Sequence, residues 1–130
     1  MVNGFLSGKF SADDMFAKND LRTVITRFSK ENMTANEPLL ELVRNYAEQK
    51  NCTPAQIVLA WVLAYGDFVV PIPGMRRKRS ITENLGAADV VLTKEEYDIL
   101  CKELSKIIIH GNRDNKDIAK LGTVTENTGK

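Results

Sequence analysis

Four cations stand almost in a row at Arg76, Arg77, Lys78 and Arg79, inside the stretch VPIPGMRRKRSITENLGAADV over 70–90. Gly74 precedes them and lets the backbone turn freely. Ser80 follows, three residues ahead of Glu83, the spacing of a capping box that opens a helix. A helix N-terminus carries free amides and the positive end of the helix dipole. A strand, a glycine turn and such a terminus together make an anion site. Guanidinium forks suit a phosphate monoester held from two sides. The chemistry on offer is therefore capture of a phosphorylated ligand by Gly74, Arg76, Arg77 and Ser80. A run such as RRKR also reads as a solvated loop or as a nuclear-localisation or nucleic-acid patch, and composition alone leaves all of these open. The whole chain carries only +1, so any polyanion-binding surface must be local. No aromatic residue interleaves with the basic run, so there is no stacking platform and a nucleic-acid partner is not expected.

These groups need a frame. A chain of 130 residues suits one domain, taken as 1–130, with a core that removes about 65% of the surface an unfolded chain exposes. The 43% hydrophobic and 27% charged content is that of an ordinary folded, soluble protein. The apolar run IVLAWVLAY is shorter than the ~20 residues a membrane span needs. The N-terminus lacks the pattern of a signal peptide, so no membrane partner is expected. Cys52 and Cys101 are far apart and form no CxxC pair. They read as reduced thiols of a cytosolic protein, and the location expected is cytoplasmic. No metal-ligand cluster is apparent, so no metal is expected.

Along the chain, MVNGFLSGKF over 1–10 reads as a loop, the exit of a strand. Residues 11–28 fit a loop or a short helix. From Ser29 a helical pattern begins, with Leu39, Leu42, Val43 and Tyr46 on one face. Pro38 either kinks one long helix over 30–49, the preferred reading, or marks the first turn of a shorter one that starts near Asn36. Thr53, Pro54 and Gln56 form a strong helix start. The helix over 54–65 is apolar on nearly every side and is expected to be buried, ending at Gly66. DFVVPIP over 67–73 is a short apolar run without alternation, which suits a strand covered on both faces, with Pro71 and Pro73 limiting its ladder. Thr93 and Glu96 form another capping box, opening a helix with Tyr97, Leu100, Leu104 and Ile107 inside. Residues 109–130 read as a tail with a short helical piece around DIAKL. The expected class is mainly α with one or two short strands. A lone strand without partners for its backbone groups suggests a sequence shaped inside a larger sheet.

Five pieces occur in the order and spacing of one family. GFLSGKF (4–10), RFSKENMTAN (27–36), TPAQIVLAWVLA (53–64), VPIPGMRRKRSITENLGAADV (70–90) and LTKEE (92–96) resemble the C-terminal third of the aldo/keto reductases. That resemblance implies a C-terminal piece of a (β/α)8 barrel, carrying strand eight, the basic loop and flanking helices, rather than a complete barrel. It implies NADP(H) as cofactor and carbonyl reduction by hydride transfer as the family reaction. It puts Gly4, Leu6 and Ser7 along the cofactor pyrophosphate. It puts Gly74, Met75, Arg76, Arg77 and Ser80 around the adenosine 2′-phosphate, and Glu83 and Asn84 at the adenine. Met75 stands where many relatives have Ser or Thr, and Ser80 where they often have Arg or Gln, so the preference for NADP over NAD rests on Arg76, Arg77 and Arg79.

The family's catalytic Asp, Tyr, Lys and His lie in the first half of the barrel, which this chain lacks. A complete barrel takes about 250 residues. Tyr46, Tyr65 and Tyr97 fall on helical stretches, and His110, the single histidine, reads as a surface residue. No catalytic residue is assigned, and the chain alone is expected not to reduce carbonyls. Met1 reads as an internal methionine of a longer chain used as a start. Whether the chain alone holds the cofactor stays open. The alternative is a non-enzymatic nucleotide, RNA or protein-interaction module using the basic loop. A strand over 68–72 with an open edge on each side is expected to pair with another copy, giving a homo-oligomer.

Overall fold

Residues 2–112 are described by the computed structural model of the chain, and α-helices are its dominant element. The expected tail piece around DIAKL lies outside the described residues. Val2–Ser7 is a 3-10 helix, where the sequence suggests a loop. Gly4 sits at φ +91°, a left-handed conformation that glycine adopts without strain. Phe5 inserts into a core with Ile25, Phe28, Met33, Leu39 and Leu40. Two more 3-10 turns, Leu21–Thr23 and Thr26–Phe28, resolve the segment that the sequence leaves between loop and helix. Phe10, Phe16 and Phe28 meet edge to face with centroids 5.5–6.4 Å apart, a favoured aromatic geometry.

The long kinked helix does not form. Helix α1, Lys30–Ala35, is capped by Ser29, and α2, Glu37–Gln49, starts afresh after Asn36. Pro38 has no N–H and would clash with the Thr34 carbonyl in a continuous helix, whereas the first turn of a new helix tolerates it. Asn36 is fully buried. Its amide donates to the His110 carbonyl at 2.8 Å and its carbonyl accepts from the His110 N–H at 2.8 Å. The buried stripe of α2 is Leu39, Leu40, Val43 and Ala47. Leu42 and Tyr46 are half-buried at its rim.

Helix α3, Pro54–Leu63, carries the expected capping box of Thr53 and Gln56. The Gln56 side chain does more than cap: its Nε2 donates to the Glu83 carbonyl at 2.9 Å. Ala55, Ile57, Leu59 and Ala60 are buried, yet Leu63 and Tyr65 beyond them are exposed. The expectation of a wholly buried helix therefore holds for its first two turns only. Helix α4, Lys78–Leu85, runs into a 3-10 turn, Gly86–Asp89. Helix α5, Lys94–Leu104, has the expected box of Thr93 and Glu96, and Lys50 from the end of α2 bonds Glu96 at 2.5 and 2.6 Å. Ile107 lies just past its end.

Two expectations fail around 67–80. Among the described residues there is no strand, so neither the strand over 67–73 nor its core over 68–72 forms. A ladder needs a neighbouring backbone, and no described segment supplies one. Helix α4 also starts ahead of the predicted capping box. Arg77 is its N-cap and no side chain caps it, so Lys78 and Arg79 fall in the first turn and Ser80 at the third position. At that position Ser80 does not cap, and the Glu83 carbonyl accepts from Gln56. At the other end, residues 110–112 are docked rather than free. Arg27 donates to the Gly111 carbonyl at 3.2 Å, and the Asn112 N–H donates to Thr26 Oγ1 at 2.8 Å.

Candidate anion site

The Gly74 turn and the start of α4 face the 3-10 turn Leu21–Thr23 across an open hollow of about 520 Å3. Asp20, Leu21, Arg22, Gly74, Arg76, Arg77 and Ser80 line it. Gly74 has open space where a side chain would be, so backbone and ligand can approach each other there.

Arg22 is the ordered cation of this hollow. Asp20 caps the 3-10 turn and accepts from the Arg22 backbone N–H at 2.9 Å, from its Nε at 2.9 Å, and from its second terminal nitrogen. This bidentate pair is the strong arrangement of a guanidinium with a carboxylate. The guanidinium also lies 4.4 Å from the ring centres of both Phe10 and Phe16, within cation–π range. The side-chain and backbone bonds from Arg22 hold the Asp20 carboxyl down at about 2, and the same pairing raises the Arg22 pKa. Arg76 and Arg77 are exposed, and no described residue pairs with them. Three guanidinium charges less one carboxylate leave the lining at +2.

Of the ten residues the sequence singles out, Gly74, Arg76, Arg77 and Ser80 come together in this hollow. Met75 is on the same turn and partly exposed, but does not line it. Glu83 is drawn away: its carboxylate takes Lys9 Nζ at 3.2 Å and its carbonyl takes Gln56. Asn84, half-buried on α4, lies outside the hollow. Gly4 and Ser7 are tied to each other, the Ser7 hydroxyl donating to the Gly4 carbonyl at 2.5 Å. Leu6 turns instead into an apolar cavity of about 380 Å3 with Val43, Trp61 and Leu104. The Lys9–Glu83 pair is what links the N-terminal turn to α4.

Asp20, Leu21 and Arg22 are residues that sequence reasoning misses. Their signal is faint: an acidic residue two positions before an arginine, in a stretch without period. The tyrosines lie elsewhere. Tyr46 lines the apolar cavity, where burial and a 3.0 Å bond to Glu103 push its hydroxyl up to about 12. Tyr97 stacks on Trp61 at 6.3 Å. Cys52 and Cys101 are free thiols, and among the described residues no group of His, Cys, Asp or Glu could hold a metal ion. No described helix is long and apolar enough to cross a membrane.

The fold sets a guanidinium-lined hollow beside a glycine turn, and comparison with known proteins gives the family. The description "Aldo/keto reductase family" matches residues 1–104, and the chain belongs to that family. It is 35% identical over 121 residues to a protein named aldo-keto reductase str7 from Strobilurus tenacellus, covering 93% of this chain and 35% of that protein. It is 41% identical over 90 residues to aldo-keto reductase yakc [NADP(+)] from Schizosaccharomyces pombe, covering 69% of this chain and 26% of that protein. The chain thus spans about a third or less of the length of these relatives.

Proposed function

We propose that this chain is the cofactor-anchoring part of an NADP(H)-dependent aldo/keto reductase, and that its hollow holds the adenosine 2′-phosphate. The observation that carries this reading is the convergence of Arg22, Arg76 and Arg77 on one pocket with a net charge of +2. That charge balances a phosphate dianion. Arg22 is pre-oriented by Asp20 and two phenyl rings, so little side-chain freedom is lost when it binds. Arg76 and Arg77 are free to close from the other side. Lys78 and Arg79 stand in the first turn of α4, where cations oppose the helix dipole, and a bound anion would relieve that repulsion. The name of the fission-yeast relative, which carries NADP(+), points the same way.

Bound there, the cofactor would supply the hydride. Arg22, Arg76 and Arg77 would fix its phosphate, and Gly74 would let the backbone approach. Gly4, Ser7, Glu83 and Asn84 are engaged or set apart in the structure described above, so the 2′-phosphate carries the recognition. The test is calorimetric titration with adenosine 2′,5′-bisphosphate and with 5′-AMP. Each charge-assisted bond contributes about 1.5–3 kcal/mol, so the extra phosphate is expected to tighten binding by about 10- to 100-fold. Arg76→Ala with Arg77→Ala should erase the difference. Equal affinity for the two nucleotides would remove the reading.

A further inference from the structure

Ser80 follows directly on Arg76, Arg77, Lys78 and Arg79, and no acidic residue stands near it before Glu83. Ile81, the next residue, is exposed. Protein kinases select substrates largely by charge pattern, and a serine led by such a run complements a kinase with an acidic substrate groove. The structure adds to the pattern in three ways. The Ser80 hydroxyl is uncommitted among the described residues, whereas the nearby Thr82 hydroxyl donates to the Lys78 carbonyl at 3.3 Å. The turn that carries Ser80 opens readily. Helix α4 has no side-chain cap, and Lys78 and Arg79 in its first turn oppose the helix dipole. Ahead of it, Gly74, Met75 and Arg76 make no backbone–backbone hydrogen bond among the described residues. Fraying of one uncapped turn is the local opening by which a groove takes such a segment extended. Finally, Ser80 lines the same hollow as Arg22, Arg76 and Arg77, while Lys78 and Arg79 line a separate one with Thr53 and Gln56.

We infer that Ser80 is a phosphorylation site for an arginine-directed protein kinase, and that its phosphate occupies the hollow as an internal anion. The Ser80 Oγ attacks the γ-phosphorus of ATP. The bond from that phosphorus to the oxygen bridging it to the β-phosphate breaks, and ADP leaves. The hydroxyl proton passes to the kinase's catalytic carboxylate. The new group carries about −1.5 to −2 charges near neutral pH, against +2 on the lining residues. At the third position of α4 it also offsets the repulsion between Lys78, Arg79 and the helix dipole. The turn that opens for the kinase is therefore closed by the product. A filled hollow shuts out an incoming phosphate, so modification would switch off cofactor capture. That last consequence rests on the function proposed above; the modification and its capture by the guanidiniums do not.

Incubating the full chain with magnesium ATP and the catalytic subunit of the cyclic-AMP-dependent kinase, a probe with an acidic groove, tests this. Peptide mass spectrometry should find one phosphoryl group, at Ser80, and none in Ser80→Ala. Arg77→Ala should slow incorporation at least roughly tenfold, the worth of one charge-assisted contact. Phosphorus NMR then follows the phosphoserine with pH. Its midpoint is expected below the ordinary value of about 6 in the folded chain and back at that value in urea. Arg22→Gln lies outside the segment the kinase reads, so it should leave the modification in place yet move the midpoint back up. Calorimetry of the phosphorylated chain should show adenosine 2′,5′-bisphosphate binding no tighter than 5′-AMP. If the unmodified chain already binds the two alike, the cofactor reading falls and the phosphorus titration still decides this one. Phosphorylation elsewhere but not at Ser80, a midpoint that is the same folded and unfolded, or a bisphosphate preference that survives modification would overturn the inference.

Discussion

Arg22 shows how a side chain in a loosely patterned segment becomes a fixed charge. Its guanidinium lies against the rings of Phe10 and Phe16 and is bonded by Asp20. The pair is also a pH reporter. Asp20 has an ordinary value of 3.8 when free and about 2 in the fold, chiefly through its side-chain bond with Arg22. A carboxyl depressed in this way binds fewer protons folded than unfolded, so its contribution is present above about 4 and is lost as pH falls toward 2. Carbon-detected NMR of the Asp20 carboxyl should give a midpoint near 2, and Arg22→Ala should return it toward 3.8. A midpoint at the ordinary value in the unaltered chain would mean that the pair does not persist in solution.

At the scale of elements, Asn36 is the joint of the molecule. It ends α1, precedes α2 and clasps the backbone of His110 with both ends of its amide. Replacing it by Ala removes both bonds to the His110 backbone. Two lost bonds of about 1–1.5 kcal/mol each predict a cost of about 2–3 kcal/mol. Urea denaturation of Asn36→Ala measures it, and a loss below about 0.5 kcal/mol would mean that water replaces the clasp. Gln56 plays the parallel role between α3 and α4. Gly86 is constrained by it, because a Cβ there would stand 2.5 Å from Gln56 Nε2. These contacts tie the C-terminal half of α4 to the start of α3.

For the whole molecule, the prediction concerns turnover. No Tyr, Lys or His lines the hollow, so a proton for a carbonyl oxygen would have to come from elsewhere. Tyr46 is held protonated in an apolar cavity far up the pH scale. The expected outcome is a chain that binds NADPH without oxidising it in the presence of a simple aldehyde. The absorbance of reduced nicotinamide, followed in preparations free of host reductases, measures this. Sustained loss that depends on aldehyde and on this chain would show that a proton donor is recruited from outside the hollow.

The local grammar of the chain was legible from its residues. Thr53 with Gln56 and Thr93 with Glu96 cap helices because every partner lies within one turn. The five family motifs were equally legible, and the family follows from them. The candidate anion site was half legible: Gly74, Arg76, Arg77 and Ser80 were visible as a run, but Asp20 and Arg22 join them from more than fifty residues away. Other outcomes hung on distant partners. Whether 67–73 becomes a strand depends on a neighbouring backbone, and no local pattern can supply one. At the break before Pro38, Asn36 clasps His110 from far along the chain. The sequence by itself determined the capped helices, the cation run and the family, because those rest on neighbours along the chain. Only the tertiary structure decided which cations share a hollow, because that rests on groups that the fold alone brings within reach.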